Sequence, residues 1–329
     1  MQFSVAMCTY NGALYLRDQL ESIAAQHRQP DELIVCDDQS VDETREIICA
    51  FASASSFPVR LHVNESRLGI IRNFERAIRL CAGDIIVLAD QDDVWHKEKL
   101  QRIGKVFSSN TETGLVLSDA EVVDKDLCSM GYYLWQATFN RKEQKLFDKG
   151  EAFSVLSTHN VATGATMAFR AKYRDLILPI PDDTPLIHDG WIASLIAAVA
   201  EVSLIREPLI KYRQHPHQQL GIRLPDTKPS PERFFGERRA NTAALGKASF
   251  LEDIARLNKI RERLLTMKNV FDGAKAIKFL EAKASHIQTR VLLHDKESDR
   301  ISPILKELLS GHYHLYSKGI RSAARDFWF

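Results

Sequence analysis

The 329-residue sequence predicts an α/β fold, a doubly wound parallel sheet followed by a helical appendage. Three observations predict it. Apolar strand-like runs alternate with amphipathic helix-like runs through the first hundred residues, the pattern of a parallel sheet with crossover helices. The strand-like runs stop at polar turns. Beyond the Pro-rich stretch "LPDTKPSPERFF" only the helical period persists.

"FSVAM" is a short buried strand that ends in the turn signal "CTYNG", and "ALYLRDQLESIAAQ" then places Leu16, Leu20, Ile23 and Ala24 at helical spacing. "PDELIVCDDQS" is a second strand, bounded by Pro30 and by acids with Ser40. The helix "VDETREIICAFA" follows, with Ser40 or Asp42 as its expected N-cap. "PVRLHVNE" alternates as a third strand, and "LGIIRNFERAIRLCAGD" is a helix expected to stop at Gly83 as a C′ residue. "IIVLADQDD" is the fourth strand.

In the middle, "GLVLSDAEVVD" reads as a strand, "ATGATMAFRAKY" as a strand running into a turn or helix, and "HDGWIASLIAAVA" as a buried helix. "EVSLIREPLIKYRQH" reads as two short strands around Pro208. In the tail, Leu251, Ile254, Leu257, Leu264 and Leu265 form one amphipathic stripe, and Phe279, Ile287, Val291 and Leu292 continue the spacing.

Composition is ordinary for a globular chain, at 45% hydrophobic and 26% charged. Net charge is +1, but residues 230–329 carry 19 basic against 12 acidic side chains while the rest carry 25 against 31. A basic tail on an acidic body suits either an anionic surface or a solvated helical face. The five cysteines show no disulfide or metal-ligand spacing, which fits a reducing cytosol. "MQFSVAMCTYNG" lacks the basic start of a signal peptide, and "IASLIAAVAEVSLI" is too short for a membrane span and is interrupted by Glu201. The expected location is cytoplasmic, and no nucleic-acid partner is expected.

Sheets of this kind bind ligands at the carboxyl ends of their strands. Here those ends carry Thr9, Tyr10 and Asn11, then Asp37 and Asp38, then Asp90, Asp92 and Asp93. Carboxylates crowded together repel one another unless a cation neutralises them. The alternative for "DQDD" is a solvated loop capping the helix at "HKEKL", whose lysines read as solvated. A dinucleotide-binding dehydrogenase would need G-x-G-x-x-G where "CTYNGA" stands, and a haloacid-type phosphatase would need D-x-D after the first strand.

Together, "VAMCTYNGALYLRDQLESIAAQ", "LIVCDDQSVDET", "NESRLGIIRNFERAI" and "DIIVLADQDDVWHKEKL" resemble family 2 glycosyltransferases of the GT-A fold. "TGATMAFR", "HDGW" and "PLIKYRQH" resemble the rhamnosyltransferase branch, which builds bacterial surface polysaccharides. The resemblance covers about residues 1–221. It implies a GT-A doubly wound mixed sheet over residues 1–224, with a nucleotide-binding half (1–110) and an acceptor or catalytic half (111–224). A C-terminal helical region spans 225–329.

The resemblance further implies an inverting transfer of a sugar from a dTDP- or UDP-sugar, dTDP-L-rhamnose first, to a saccharide or lipid-linked acceptor. Mg²⁺ or Mn²⁺ would serve as cofactor. Asp38 would accept from the pyrimidine base, Tyr10 would stack on it, and Thr9 or Asn11 would line the loop. Asp92 is favoured at the ribose and Asp93 at the metal with Asp90 in support, while the D-x-D pair Asp90 and Asp92 is the second choice for the metal. Asp189 would be the catalytic base, with His188 beside it. His215 would complete the metal or diphosphate site, Arg213 would meet diphosphate oxygens, Gly164 would form a wall beside the donor sugar, and Trp95 and Trp191 are core residues or sugar platforms. Where the branch has Gly and Asn after "YRQH", this chain has "PHQQLG", and two aromatics expected after the HD pair are here Gly190 and Trp191. Both departures concern the acceptor pocket. Lys318, Arg321 and Arg325 with the terminal Phe327, Trp328 and Phe329 suit peripheral contact with the inner face of the cytoplasmic membrane. The rival reading is a non-catalytic GT-A domain that binds nucleotide or glycan within a biosynthetic complex.

Overall fold

Strand-length apolar runs flanked by turns become the centre of one sheet in the computed structural model, which describes residues 1–183, 186–216, 218, 238–295 and 300–328 (backbone only for 238–246, 294 and 295). Strands β1 (Phe3–Thr9), β2 (Glu32–Asp37), β3 (Val59–Val63) and β4 (Ile85–Ala89) alternate with helices α1 (Ala13–Ala24), α2 (Thr44–Ala54) and α3 (Ile70–Leu80). β2 and β4 are buried along their whole length, as strands covered by helices on both faces must be. β1 pairs in parallel with β2 on one side and β4 on the other, with Thr9 opposite Asp37 and Met7 opposite Ala89. The order therefore reverses at β1, and a crevice opens at the strand ends there.

The chain continues through β5 (Val94–Trp95), α4 (Lys99–Ser109), β6 (Thr113–Val123), β7 (Ser129–Tyr133), α5 (Leu134–Thr138), α6 (Arg141–Asp148), α7 (Ala152–Leu156), β8 (Met167–Arg170), α8 (Arg174–Ile177), α9 (His188–Ala197) and β9 (Glu201–Arg213). The sheet order is β3-β2-β1-β4-β8-β6-β9-β5, with β7 on the side of β6. β8 enters antiparallel between β4 and β6, so the sheet is mixed where strand–helix alternation alone predicts a parallel one. β9 is one 13-residue strand, not two: at Pro208, which has no N–H to donate, the register against β6 shifts and pairing resumes.

Two caps differ from expectation. α2 starts at Thr44, so its N-cap is Glu43 and neither Ser40 nor Asp42, although Asp42 accepts from the Thr44 N–H at 3.1 Å. α3 ends at Leu80, before Gly83, whose role is close approach, because a Cβ there would meet the Gln2 carbonyl and the Ser4 nitrogen at 2.9 Å.

The chain forms two compact units, Met1–Asp182 with Leu186–Pro225, and Asp183–Pro185 with Asp226–Phe329. The second contains α10 (Arg238–Thr266), α11 (Ala274–Asp295), α12 (Ile301–Leu309), α13 (His312–Tyr316) and α14 (Ile320–Trp328). Its stripe is centred on Leu257, Ile260 and Leu264, with Ile287 and Val291 also buried, while Leu251, Leu265 and Leu292 face outward. An ion pair between Arg290 and Asp326, joined by the Tyr313 hydroxyl at 2.8 Å, fixes α11, α13 and α14 to one another. No helix among the described residues is long and apolar enough to cross a membrane. The Pro-rich stretch around residues 224–235 and Phe329 lie outside the described residues.

Candidate active site

The crevice at the ends of β1 and β4 is a cleft of about 1130 Å³, part of it open to solvent. Thr9, Tyr10, Asp38, Asp90, Asp92 and Asp189 line it, as do Gly164, His188, Arg213 and Gln218.

Two loops build the end of the cleft beside Tyr10 and Asp38. Gln91 binds the loop after β1 twice, its Oε1 accepting from the Tyr10 N–H at 2.9 Å and its Nε2 donating to the Tyr10 carbonyl at 3.1 Å. This clamp needs a glycine next door, since a Cβ on Gly12 would lie 2.3 Å from Gln91 Oε1. Asp37 is buried and structural, receiving the Thr9 hydroxyl at 3.0 Å and the Ser40 N–H at 3.0 Å and pairing with Arg45. Asp38 accepts from Asn64 Nδ2 and the Leu68 N–H on Oδ1 and from the Gly69 N–H on Oδ2. A carboxylate offers about four acceptor positions, so one remains on Oδ2. The Arg67 guanidinium lies 3.8 Å from the Tyr10 ring centroid, leaving a ring and a cation as a stacking pair at the rim. Asn11 lies outside the cleft lining. At φ 47° its Oδ1 accepts from the Val41 N–H and its own N–H donates to Ser40, so it ties the β1 loop to the β2 loop.

At the end of β4 the acids diverge. Asp92 faces the cleft, with Oδ2 2.9 Å from His215 Nε2. The His215 ring packs on Tyr15 at 4.6 Å. Asp93 points the other way: it is 1% exposed, accepts the Arg213 N–H at 3.1 Å, and lies outside the cleft lining. Sequence favoured Asp93 for the metal and Asp92 for the ribose; adjacent residues leaving a strand face opposite sides, and here the carboxylate beside His215 is Asp92. Asp90 sits at the cleft floor, where burial and then the charges of Asp92 and Asp189 push its carboxyl up to about 7. Burial also pushes Asp93 well above the carboxylate range.

The cation below these acids comes from a residue that reads as solvated. Lys99, first in α4, is fully buried, donates to the Ala165 carbonyl at 2.7 Å and stands 3.8 Å over the Trp95 ring. Burial pulls its ammonium down to about 7 against the opposing pull of Asp93 and Asp90. Arg213, expected at the diphosphate, lines the cleft, and its guanidinium donates to the Asp92 and Lys125 carbonyls and pairs with Asp18 at 2.8 Å. It positions the Asp92 backbone.

Asp189, the second residue of α9, brings a carboxylate to the opposite wall. It accepts from Asn160 Nδ2 at 2.9 Å, from the Gly164 N–H at 3.3 Å and from the Gly190 N–H. Burial outweighs these bonds and raises it to about 6. His188 stacks on Phe74 at 4.2 Å, and burial lowers it to about 4, so it is a neutral ring. Neither of its ring nitrogens has a partner among the described residues. Trp95 and Trp191 are core residues, 4% and 1% exposed. Gln91 and Lys99 carry no signal local enough to single them out in sequence, because their partners are 81 and 66 residues away.

The family model described as "Glycosyl transferase family 2" matches residues 4–176. An uncharacterized glycosyltransferase of Nostoc sp. is 25% identical over 220 residues, 65% of this chain and 65% of that protein. The chain thus spans somewhat less than two thirds of that relative. The dTDP-rhamnosyl transferase RfbG of Shigella flexneri is 27% identical over 232 residues, 66% of this chain and 74% of the relative. Among solved structures, residues 1–349 of S. aureus TarS in complex with UDP-GlcNAc superpose with a TM-score of 0.52 at 17% identity, covering 99% of this chain and 91% of that one. At that identity the match establishes the fold, a mixed GT-A sheet with C-terminal helices.

Proposed function

Because the chain belongs to glycosyl transferase family 2, we propose that its cleft moves a sugar from a nucleotide diphosphate to an acceptor hydroxyl with inversion at the anomeric carbon. One observation carries the reading. Asp38 with a spare acceptor position, Asp92 beside His215, and a raised Asp189 line a single cleft.

In this reading Asp38 accepts the N3–H of a uracil or thymine base through Oδ2, and Tyr10 with Arg67 stacks on the base. Thr9 lines the base site, while Asn11 acts through the loop. Asp92 and His215 would hold a divalent cation, with Asp90 in support. The set fits: carboxylate oxygens suit Mg²⁺ or Mn²⁺, and Asp90 is pushed up by burial and then by the charges of Asp92 and Asp189, which a bound cation would offset. Bound there, the cation would neutralise the charge that develops on the leaving diphosphate. Asp189 takes the proton of the acceptor hydroxyl as its oxygen attacks the anomeric carbon and the bond from that carbon to the diphosphate oxygen breaks. A base raised to about 6 is mostly ionised at neutral pH yet basic enough to accept that proton. The division into a nucleotide half, residues 1–110, and an acceptor half, 111–224, belongs to the same proposal.

Likeness to a protein named for dTDP-rhamnosyl transfer supports dTDP-L-rhamnose as the first donor to test, with UDP-sugars second. The product would serve surface polysaccharide assembly on a saccharide or lipid-linked acceptor. Peripheral membrane contact belongs here too. On the second unit, Leu315, Ile320 and Trp328 are 67%, 68% and 81% exposed, and Lys318, Arg321 and Arg325 are exposed near them. That combination suits an anionic bilayer surface. Loss of liposome co-sedimentation on removing residues 311–329 supports it, and retention overturns it.

A thermal-shift panel of nucleotide sugars with and without Mn²⁺ tests the main reading. A ligand at 100 times its Kd adds about 2.7 kcal/mol to the native state. One pyrimidine diphosphate sugar should raise Tm by several degrees only with metal, and a flat panel contradicts the reading.

A further inference from the structure

The C-terminal unit contains a second group of ligating side chains, unrelated to the cleft. His286 on α11, Glu307 on α12 and His312 at the start of α13 point at one spot, their ligating atoms all within 4.8 Å of one another. A single carboxylate oxygen, Glu307 Oε2, stands 2.5 Å from His286 Nδ1 and 3.1 Å from His312 Nδ1. We propose that these three residues form a site for a divalent transition metal, zinc by the chemistry of the set, which ties α12 and α13 to α11.

The donor set argues for the class of metal. Two imidazole nitrogens and one carboxylate match zinc; magnesium and calcium prefer an all-oxygen shell. Ligand atoms around tetrahedral zinc lie about 3.3 Å apart, given metal–ligand distances near 2 Å. Glu307 Oε2 therefore needs to draw back from His286 Nδ1 by about 1 Å or less to reach that spacing.

The surroundings are those of a built site. His286 is fully buried, and its other ring nitrogen, Nε2, lies 2.9 Å from Ser317 Oγ. That hydroxyl also receives Arg290 Nη1 at 3.1 Å. Metal-bound histidines have their second nitrogen fixed from outside in this way. The Tyr313 ring meets His286 edge-on at 4.9 Å and holds its plane. His312 is one-third exposed, which gives an ion a way in. Three ligands from three helices would make a metal a fastener for the end of the chain.

Zinc titration by calorimetry on the full-length Asp92→Asn protein, freed of metal with a chelator, tests this, because that substitution removes the cleft as a competing site. One zinc ion per chain is expected, with a rise in Tm. His312→Gln or Glu307→Gln, added to Asp92→Asn, should weaken zinc binding by more than the 10–100-fold loss, roughly, that removing an outer partner causes. Circular dichroism confirms that the helices persist. No zinc binding by Asp92→Asn, or undiminished affinity after His312→Gln, overturns the proposal and leaves the cleft reading untouched.

Discussion

Replacing Asp189 with Asn removes the base while keeping its shape. The Asn Oδ1 retains the bonds from Asn160 and Gly190, but its amide N–H₂ then faces the Gly164 N–H across 3.3 Å. One lost hydrogen bond costs about 1 kcal/mol, which the fold tolerates. Turnover, by contrast, should fall by about 10²–10⁴, the usual share of base catalysis, or about 2.7–5.5 kcal/mol of barrier. In the wild type, protonation of a group raised to about 6 removes the base, so kcat/KM should rise with pH through that value and level off above it. At pH 5 roughly a tenth of the base is ionised, and at pH 8 nearly all of it. The assay is release of nucleoside diphosphate across that range, with nucleotide affinity measured in parallel and expected to stay within about twofold. Turnover within tenfold of wild type would refute the base role and favour a domain that binds without catalysing.

Lys99→Met removes the buried cation below Asp90 and Asp93 and the bond to the Ala165 carbonyl. Asp90, raised in the folded state to about 7, costs stability increasingly as pH climbs from the ordinary carboxylate range to 7, and without the lowering pull of Lys99 it rises further, so in the variant that cost keeps growing above 7. The Tm deficit of Lys99→Met should therefore widen between pH 6 and pH 8, and a pH-independent deficit counts against the electrostatic role. Gly12→Ala drives a methyl into Gln91 and breaks two hydrogen bonds, at about 1 kcal/mol each. Urea unfolding should show about 2 kcal/mol lost in Gly12→Ala but little further loss when it is added to Gln91→Ala. Additive losses would show that the clamp is not what the glycine protects.

The parts legible in sequence are those where neighbours in the chain decide the outcome. β1 to β4 with their helices, and the polar residues at the strand ends, follow from runs of Ile, Val and Leu broken by Asn, Asp and Gly. The sheet becomes mixed because β8 inserts beside β4, a pairing across about 80 residues that no local period encodes. "HKEKL" looks like a solvated helix start, yet Lys99 turns inward because acids elsewhere need a buried cation. Arg213 looks like an anion ligand from its type alone, but carbonyls and Asp18, all distant in sequence, also draw on its guanidinium. The divergence of Asp92 and Asp93 depends on where β9 brings His215 and Arg213, more than a hundred residues downstream.

Calorimetric titration of dTDP and UDP into the wild type, Asp92→Asn and Asp93→Asn, each with and without Mn²⁺, tests the central claim most directly. Wild type should bind one of the nucleotides only when metal is present. Asp92→Asn should lose that metal-dependent affinity, while Asp93→Asn, whose carboxyl is buried away from the cleft, should keep it. Metal-dependent binding that survives Asp92→Asn and vanishes in Asp93→Asn would contradict the account.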